Sequence, residues 1–438
     1  MKGKKIFVFL MILVLMISGL AFSKTVITIQ TYWSEEDENN TPFFEMLKKY
    51  QELHPDVEIK HYYVPFAELI KTLLTQSLTG SLPDIVFADN PDIRYLAAAG
   101  VFKDLTPLVE EWGVWDDFFP GSRAAVTYEG KIYALHQSTN NLALWYNKEF
   151  FEKAGIKEPP KTWDEVLEYC KILKDKFGKD GVYPIGFSAV NSEEGTWQFE
   201  PFLWSAGGNL LELDSKESIQ ALEFVTELVK EGYAPKDVMN WGQGDLTEYF
   251  RNRKLVMIVQ GCWELGDVTG FQEVNMYLGQ NIDIAKIPVP KEGMKPVVPM
   301  GGECFGLSAT IEPSKEKIAW DIIKFLNSSE NMAKFCAGAG RVPTRASAVP
   351  LLLELVPELE VFAKQAETAI CRPVAGGGEK YTEVSSITIN AVQQALSGAL
   401  SPSEAFKQAA KKIRKLFKND KEYQKALEEA INALKAVQ

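Results

Sequence analysis

A chain of 438 residues is too long for a single compact core, so two or more lobes are expected. Its 59 acidic residues outnumber 47 basic ones and leave a net charge of −12, which argues against nucleic acid or an anionic membrane surface as a partner. The five cysteines (Cys170, Cys262, Cys304, Cys336 and Cys371) form no C-x-x-C pair. Their wide spacing fits neither a disulfide scaffold nor a zinc site. An odd count leaves at least one thiol unpaired, and most read as small buried apolar residues, although an oxidising compartment allows a bridge.

The N-terminus carries Lys2, Lys4 and Lys5, then the apolar run Ile6 to Ile17, then the small residues Ala21 and Ser23 around Phe22. This is the pattern of an export signal cleaved after Ser23. No cysteine follows the run, so a lipid anchor is not expected and the protein should be released as a soluble chain. The apolar run is short for a full membrane span, and no later segment is long and apolar enough to make one.

Beyond the signal, Thr25 to Thr31 is rich in β-branched residues and reads as a strand that ends in the aromatic and acidic loop Tyr32 to Asp37. Thr41-Pro42 opens a helix. A second strand over Val57 to Tyr62, a helix from Pro65 to about Leu78, and a short buried strand over Asp84 to Ala88 follow. Strand and helix alternating in this way predict a parallel sheet covered on both faces. Such sheets bind ligands beyond the carboxyl ends of their strands, here in the Tyr32 loop and at Asp89 to Asp92.

From Gly130 to Asn147 the pattern changes. An alternating strand gives way to the polar patch His136 to Asn141 and then to the apolar run Leu142 to Tyr146, which reads as a hinge between two buried segments. Thr162 caps an amphipathic helix, and the stretch Trp197 to Ser205 is unusually aromatic. Leu255 to Val259 is a buried strand ending at Gly261-Cys262-Trp263, Ile282 to Val289 is another, and Cys304 to Ala309 follows Gly301-Gly302-Glu303. From Pro313 onward the chain is mostly helical, and its last helix has one apolar face that packs on the body. There is no repeat and no low-complexity linker, so the chain is expected to cross between its lobes several times.

Enzyme signatures are absent. Gly306 to Thr310 lacks the second glycine of a nucleophile elbow, and neither a phosphate loop nor H-E-x-x-H occurs. The three histidines, His54, His61 and His136, show no metal-ligand spacing. No catalytic residue, metal or cofactor is therefore assigned, although the paired acids of a secreted glycosidase could come from distant segments. The chain does offer aromatic and polar side chains at strand ends, the chemistry of a sugar site, in which flat rings stack on C–H faces and carboxylates, amides and guanidinium groups hold the hydroxyls. Trp33, Trp197, Trp241, Trp263 and Tyr381 could supply the rings.

Several motifs, in order over nearly the whole chain, resemble the family 1 extracellular solute-binding proteins, the maltose-binding-protein-like receptors of sugar ABC importers. They are Gly80-Ser81-Leu82-Pro83-Asp84-Ile85-Val86, Gly130-Lys131-Ile132-Tyr133-Ala134 with Trp145-Tyr146-Asn147-Lys148, Pro160-Lys161-Thr162-Trp163-Asp164-Glu165, Ser205-Ala206-Gly207-Gly208, Val256-Met257 through Gly261-Cys262-Trp263, Gly301-Gly302-Glu303, and Gly340-Arg341-Val342-Pro343-Thr344. The resemblance implies an α/β, two-lobed periplasmic binding protein fold of type II with a hinge of three chain crossings, near 138–142, 282–286 and 328–331. It divides the chain into a signal peptide (1–23), an N-terminal lobe (24–139 and 283–328) and a C-terminal lobe (140–282 and 329–438). By position it implies ligand contacts from Trp33, Glu35, Asp89, Asn90, Asp92, Asn140, Asn141, Trp197, Trp241, Trp263, Gly302, Glu303, Arg372 and Tyr381, the register being loosest from Arg372 to Tyr381. The function it implies is a monomeric periplasmic receptor that closes on a small carbohydrate and delivers it to ABC permease subunits, with no nucleic-acid partner. The alternatives are a receptor for a non-sugar polar solute, such as a phosphorylated polyol, and the glycosidase.

Overall fold

The computed structural model describes residues 24–36, 41–265 and 268–437. The expected signal at 1–23 and the Asp37 end of the first loop lie outside them.

Thirteen strands are described: β1 (Thr25–Thr31), β2 (Val57–Tyr63), β3 (Ile85–Asp89), β4 (Thr127–Tyr128), β5 (Lys131–Ile132), β6 (Leu135–Asn140), β7 (Leu142–Asn147), β8 (Tyr183–Gly186), β9 (Leu255–Gly261), β10 (Ile282–Ala285), β11 (Pro299–Leu307), β12 (Val342–Pro343) and β13 (Ile370–Cys371). They form two main sheets. The first runs β12-β6-β11-β3-β1-β2 with β13 beside β11, the second runs β10-β7-β9-β8, and β4 and β5 make a separate hairpin. The parallel arrangement expected holds for only part of the first sheet: β1 pairs in parallel with β2 and β3, whereas β11 lies antiparallel between β3 and β6.

Side-chain capping sets several helix starts. Thr162 and Glu165 form a reciprocal capping box at the start of Trp163–Phe177, whose Trp163, Val166, Cys170 and Leu173 are buried. The helix Glu193–Ser205 is different, being buried on every side from Gly195 onward. A helix enclosed all round belongs to the centre of a lobe.

The polar patch does not behave as a loop. His136, Gln137, Ser138 and Thr139 are part of β6, and all four are buried. Asn141 alone separates β6 in the first sheet from β7 in the second, so one crossing lies where it was expected. The other expected boundaries do not follow the sheets. β10 still pairs with β7, and Ile287, Val289, Val297 and Val298 pack in the second core, so that passage comes just before β11. Near Ser328 the chain stays with the first core: Met332, Phe335 and Cys336 pack there, and β12 pairs with β6. The chain reaches the second core for good around β13, after which Tyr381–Leu396, Pro402–Arg414 and Asp420–Lys435 complete it. The physical reason is that a pairing partner and a hydrophobic face, which motif order does not encode, decide where a segment docks.

All five cysteines are buried free thiols, so the structure contains no bridge among them. Among the described residues no helix is long and apolar enough to cross a membrane.

Candidate functional site

The site forms near the crossing, where β3, β6 and β9 end and the antiparallel β11 begins. β11 forms its floor. A Cβ on Gly301 would lie 2.1 Å from Asn140 Oδ1 and 3.1 Å from the ring of Trp197, so the bare backbone lets an amide and an indole approach the space a side chain would fill. The β6–β11 register shifts between Glu303 and Cys304, leaving Gln137 as the extra residue with neither side-chain polar atom bonded. Such a bulge re-aims the neighbouring side chains. Glu303 accepts from Tyr32 Oη at 2.8 Å and Ser138 Oγ at 2.5 Å and lies 3.4 Å from the Arg341 guanidinium. Arg341 sits over the Trp263 ring at 6.0 Å.

A second group mirrors the first. Arg372, 4% exposed, pairs with Glu193 at 2.6 Å and with Asp89 at 3.4 Å, and lies over Trp197 at 4.6 Å. Tyr381 Oη lies within hydrogen-bond distance of Glu193 at 2.5 Å and of Glu200 at 3.0 Å, its single proton being available to one of them at a time. Glu193, Trp197 and Glu200 fall at i, i+4 and i+7 of one helix and so share a face. Arg372 thereby ties the end of β3 to the central helix of the other lobe.

Burial governs the electrostatics. It pushes the Asp89 carboxyl up to about 6 against the pull of Arg372, with Glu303 adding to the rise. It pushes Asp92 up to about 8, helped by the like charge of Asp89. Glu200 is driven well above the usual carboxylate range by burial and then by Glu193. Burial also lowers His136 to about 3, so its ring is neutral, with Nε2 3.2 Å from Gly301 O. Because folding raises the Asp89 and Asp92 values, the folded protein holds those protons more tightly than the unfolded chain. Stability is therefore expected to fall as pH rises from about 4 to about 8. In denaturant titrations Asp92→Asn should flatten the upper part of that decline; an unchanged slope between pH 6 and 8 would contradict the assignment.

Of the residues expected to meet a ligand, Asp89, Asn140, Trp197, Glu303 and Arg372 come together here. Asp92 sits beside Asp89, half-buried, and Tyr381 stands behind Glu193. Trp263 is half-buried over Gly261, where a Cβ would strike its ring. Trp241 is half-buried and stacked on Tyr249 at 4.1 Å.

Four positions behave otherwise. Trp33 is 3% exposed and enclosed by Phe43, Phe87, Phe305 and Phe335, so it is a core residue; its neighbour Tyr32 is the one that reaches Glu303. Glu35 is exposed on the turn. Both ends of the Asn141 amide are engaged within the protein, Nδ2 donating to Phe362 O and Oδ1 accepting from Gln365 Nε2, so it clamps the crossing. Asn90 is wholly buried and donates to Met300 O. Alternation along an extended segment accounts for Tyr32 and Trp33: adjacent residues point to opposite sides, and position in a motif does not say which side is the core.

Sequence reasoning missed Tyr32, Glu193, Glu200 and Arg341. The helical spacing of Glu193, Trp197 and Glu200 was a usable signal, and Arg341 lay within a quoted motif without being given a role.

Two α/β lobes joined at a hinge, with aromatic rings, arginines and carboxylates facing each other where the lobes meet, define a type II two-lobed binding protein. The chain belongs to the bacterial extracellular solute-binding proteins, whose family model matches residues 45–361. The maltotriose-binding protein of Pyrococcus abyssi is 25% identical over 75% of this chain and 68% of its own length. The sn-glycerol-3-phosphate-binding periplasmic protein of Escherichia coli is 24% identical over 76% of this chain and 78% of its own. Among solved structures, maltose-bound MalE3 of T. maritima superposes with a TM-score of 0.75 at 25% identity, covering 90% of this chain and 100% of that one.

Proposed function

We propose that this protein is the periplasmic receptor of an ABC sugar importer and binds a small oligosaccharide between its lobes. The observation that carries the reading is the pair of matched groups, Trp197 with Arg372 and Glu193, and Trp263 with Arg341 and Glu303. A ring offers a stacking face, and its flanking guanidinium and carboxylate offer directed partners for hydroxyls. The Pyrococcus and T. maritima relatives support the same class of ligand.

The mechanism is population shift. A ligand that touches both groups does so only when the lobes are together, so its binding energy favours that arrangement, which the membrane subunits then engage. The ATPase and the membrane spans belong to other chains. The expected form is a monomer released after cleavage at Ser23, with no nucleic-acid partner and no catalytic step. The Escherichia coli relative keeps a phosphorylated polyol as the second reading. The surplus of carboxylates around Arg372 weighs against it, because a phosphate would meet like charge there.

A thermal-shift screen over mono-, di- and trisaccharides and glycerol 3-phosphate tests the reading, since a ligand present at 100 times its Kd stabilises by about 2.7 kcal/mol. For the best ligand, Trp263→Ala should weaken binding about 100-fold in calorimetry while leaving the melting temperature of the free protein within a few degrees. Undiminished affinity would remove Trp263 from the site, and stabilisation by glycerol 3-phosphate alone would replace the sugar with the polyol.

A further inference from the structure

The two lobes also meet through side chains that belong to neither ligand group. On the first lobe, β4 and β5 are joined by Glu129-Gly130, both left-handed with φ 47 and 77, the two-residue turn that keeps a hairpin tight. That turn holds Tyr128 at the end of a short, stiff element. Beside it the helix Ile93–Ala98 carries Arg94, whose Nη2 donates to Ala124 O at 3.3 Å and so fixes the guanidinium on its own lobe.

On the second lobe, Gly377 and Gly378 are left-handed as well and lead from Arg372–Ala375 into the single turn Gly378–Lys380. A Cβ on Gly377 would lie 3.2 Å from both Leu211 and Phe417, so the turn lies close against the second core. The helix Asp420–Lys435 is seated on the same core by Tyr423, Leu427, Ala430 and Leu434. Glu429 and Ala433, four residues apart, share another face of it, and Ala433 packs against the first core.

Two bonds run between these elements. Arg94 Nη1 donates to Glu429 Oε1 at 3.1 Å, and Tyr128 Oη donates to Glu379 Oε1 at 2.7 Å. All four side chains line one groove of about 750 Å³ between the lobes. The Arg94 side chain is only 15% exposed, so this pair is screened less than one lying wholly in water. A bond inside one lobe survives any rotation of that lobe, whereas these two exist only while the lobes are together. They therefore weight the closed arrangement without touching a solute.

We infer that the Gly378–Lys380 turn and the Asp420–Lys435 helix latch the second lobe to the first, with Arg94, Glu429, Tyr128 and Glu379 as positioning residues that set how much of the receptor is closed before a solute arrives. The apparent affinity for any solute scales with that fraction. The inference rests on lobe closure as read above and is independent of which solute is bound.

The test is the distance between spin labels on the purified protein with no solute added, at Ala99→Cys on the first lobe and Lys418→Cys on the second, both exposed positions. The five native thiols are buried and should stay unlabelled. With the latch intact the shorter distance should dominate. Combining Glu429→Gln with Tyr128→Phe, which removes the two bonds and little else, should lower the ratio of short to long distances about tenfold. Asp175→Asn, which breaks the Lys171 pair inside one lobe, should leave the ratio unchanged. An unaltered ratio in the double variant, an equal shift in Asp175→Asn, or a longer distance already dominant with the latch intact would each overturn the latch. The sugar reading stands or falls separately, on the thermal-shift screen.

Discussion

Replacing Arg372 by alanine should cost about 3–5 kcal/mol of stability at pH 7.5, because it removes a buried guanidinium that pairs with Asp89 and the more exposed Glu193 and faces the buried Glu200. The loss should exceed that from deleting a surface ion pair, such as Lys171 with Asp175, where both partners remain in water. It should also depend on pH in a definite direction. At pH 5 protons can take the place of the guanidinium on Asp89 and Asp92, whose values already stand near 6 and 8 with the arginine present. Removing Arg372 raises them further, so the penalty shrinks as pH falls. Urea denaturation at the two pH values provides the measurement. A cost below about 1 kcal/mol, or one equal at both values, would show that the arginine is not what holds this cluster together.

Gly302→Ala should be at least as damaging, at more than about 4 kcal/mol. Gly302 has φ +115, and a Cβ there would lie 2.0 Å from Ser138 O, 2.7 Å from Thr139 Cα and 2.9 Å from His136 Nε2. The first two obstacles are backbone atoms of β6, the adjacent strand, and cannot rotate away. Relief requires β6 and β11 to separate, which would displace Glu303 and the crossing at Asn141 together. Little folded protein is expected on expression; a soluble variant with a near-normal melting temperature would refute the close-approach argument. The position is therefore fixed by the close approach of β11 to β6.

The pattern of outcomes among the expected ligand residues has one physical origin. Trp33 and Tyr32 are neighbours with equally suitable chemistry, yet packing against Phe87 and Phe305 takes the indole inward and leaves the phenol to meet Glu303. Asn140 and Asn141 divide in the same way, one over Gly301 and the other clamped by Phe362 and Gln365. Arg372 and Tyr381, the loosest assignments, reach the site because β13 docks on β11 and Tyr381 begins a helix that packs on Glu193–Ser205.

By itself the sequence determined what depends on local chemistry and order along the chain. That includes the strand at Thr25–Thr31, the mostly helical chain from Pro313 onward, the Thr162 cap, the first crossing and, through its ordered motifs, the family. These follow from period, propensity and capping, which act over a few residues. Only the tertiary structure decided that β11 runs antiparallel between β3 and β6, that the later passages fall outside 282–286 and 328–331, and that Glu193, Glu200, Asp89 and Asp92 converge on one arginine from segments up to 283 residues away. Register and burial select which face of each strand meets the other lobe, and those choices are made by distant partners.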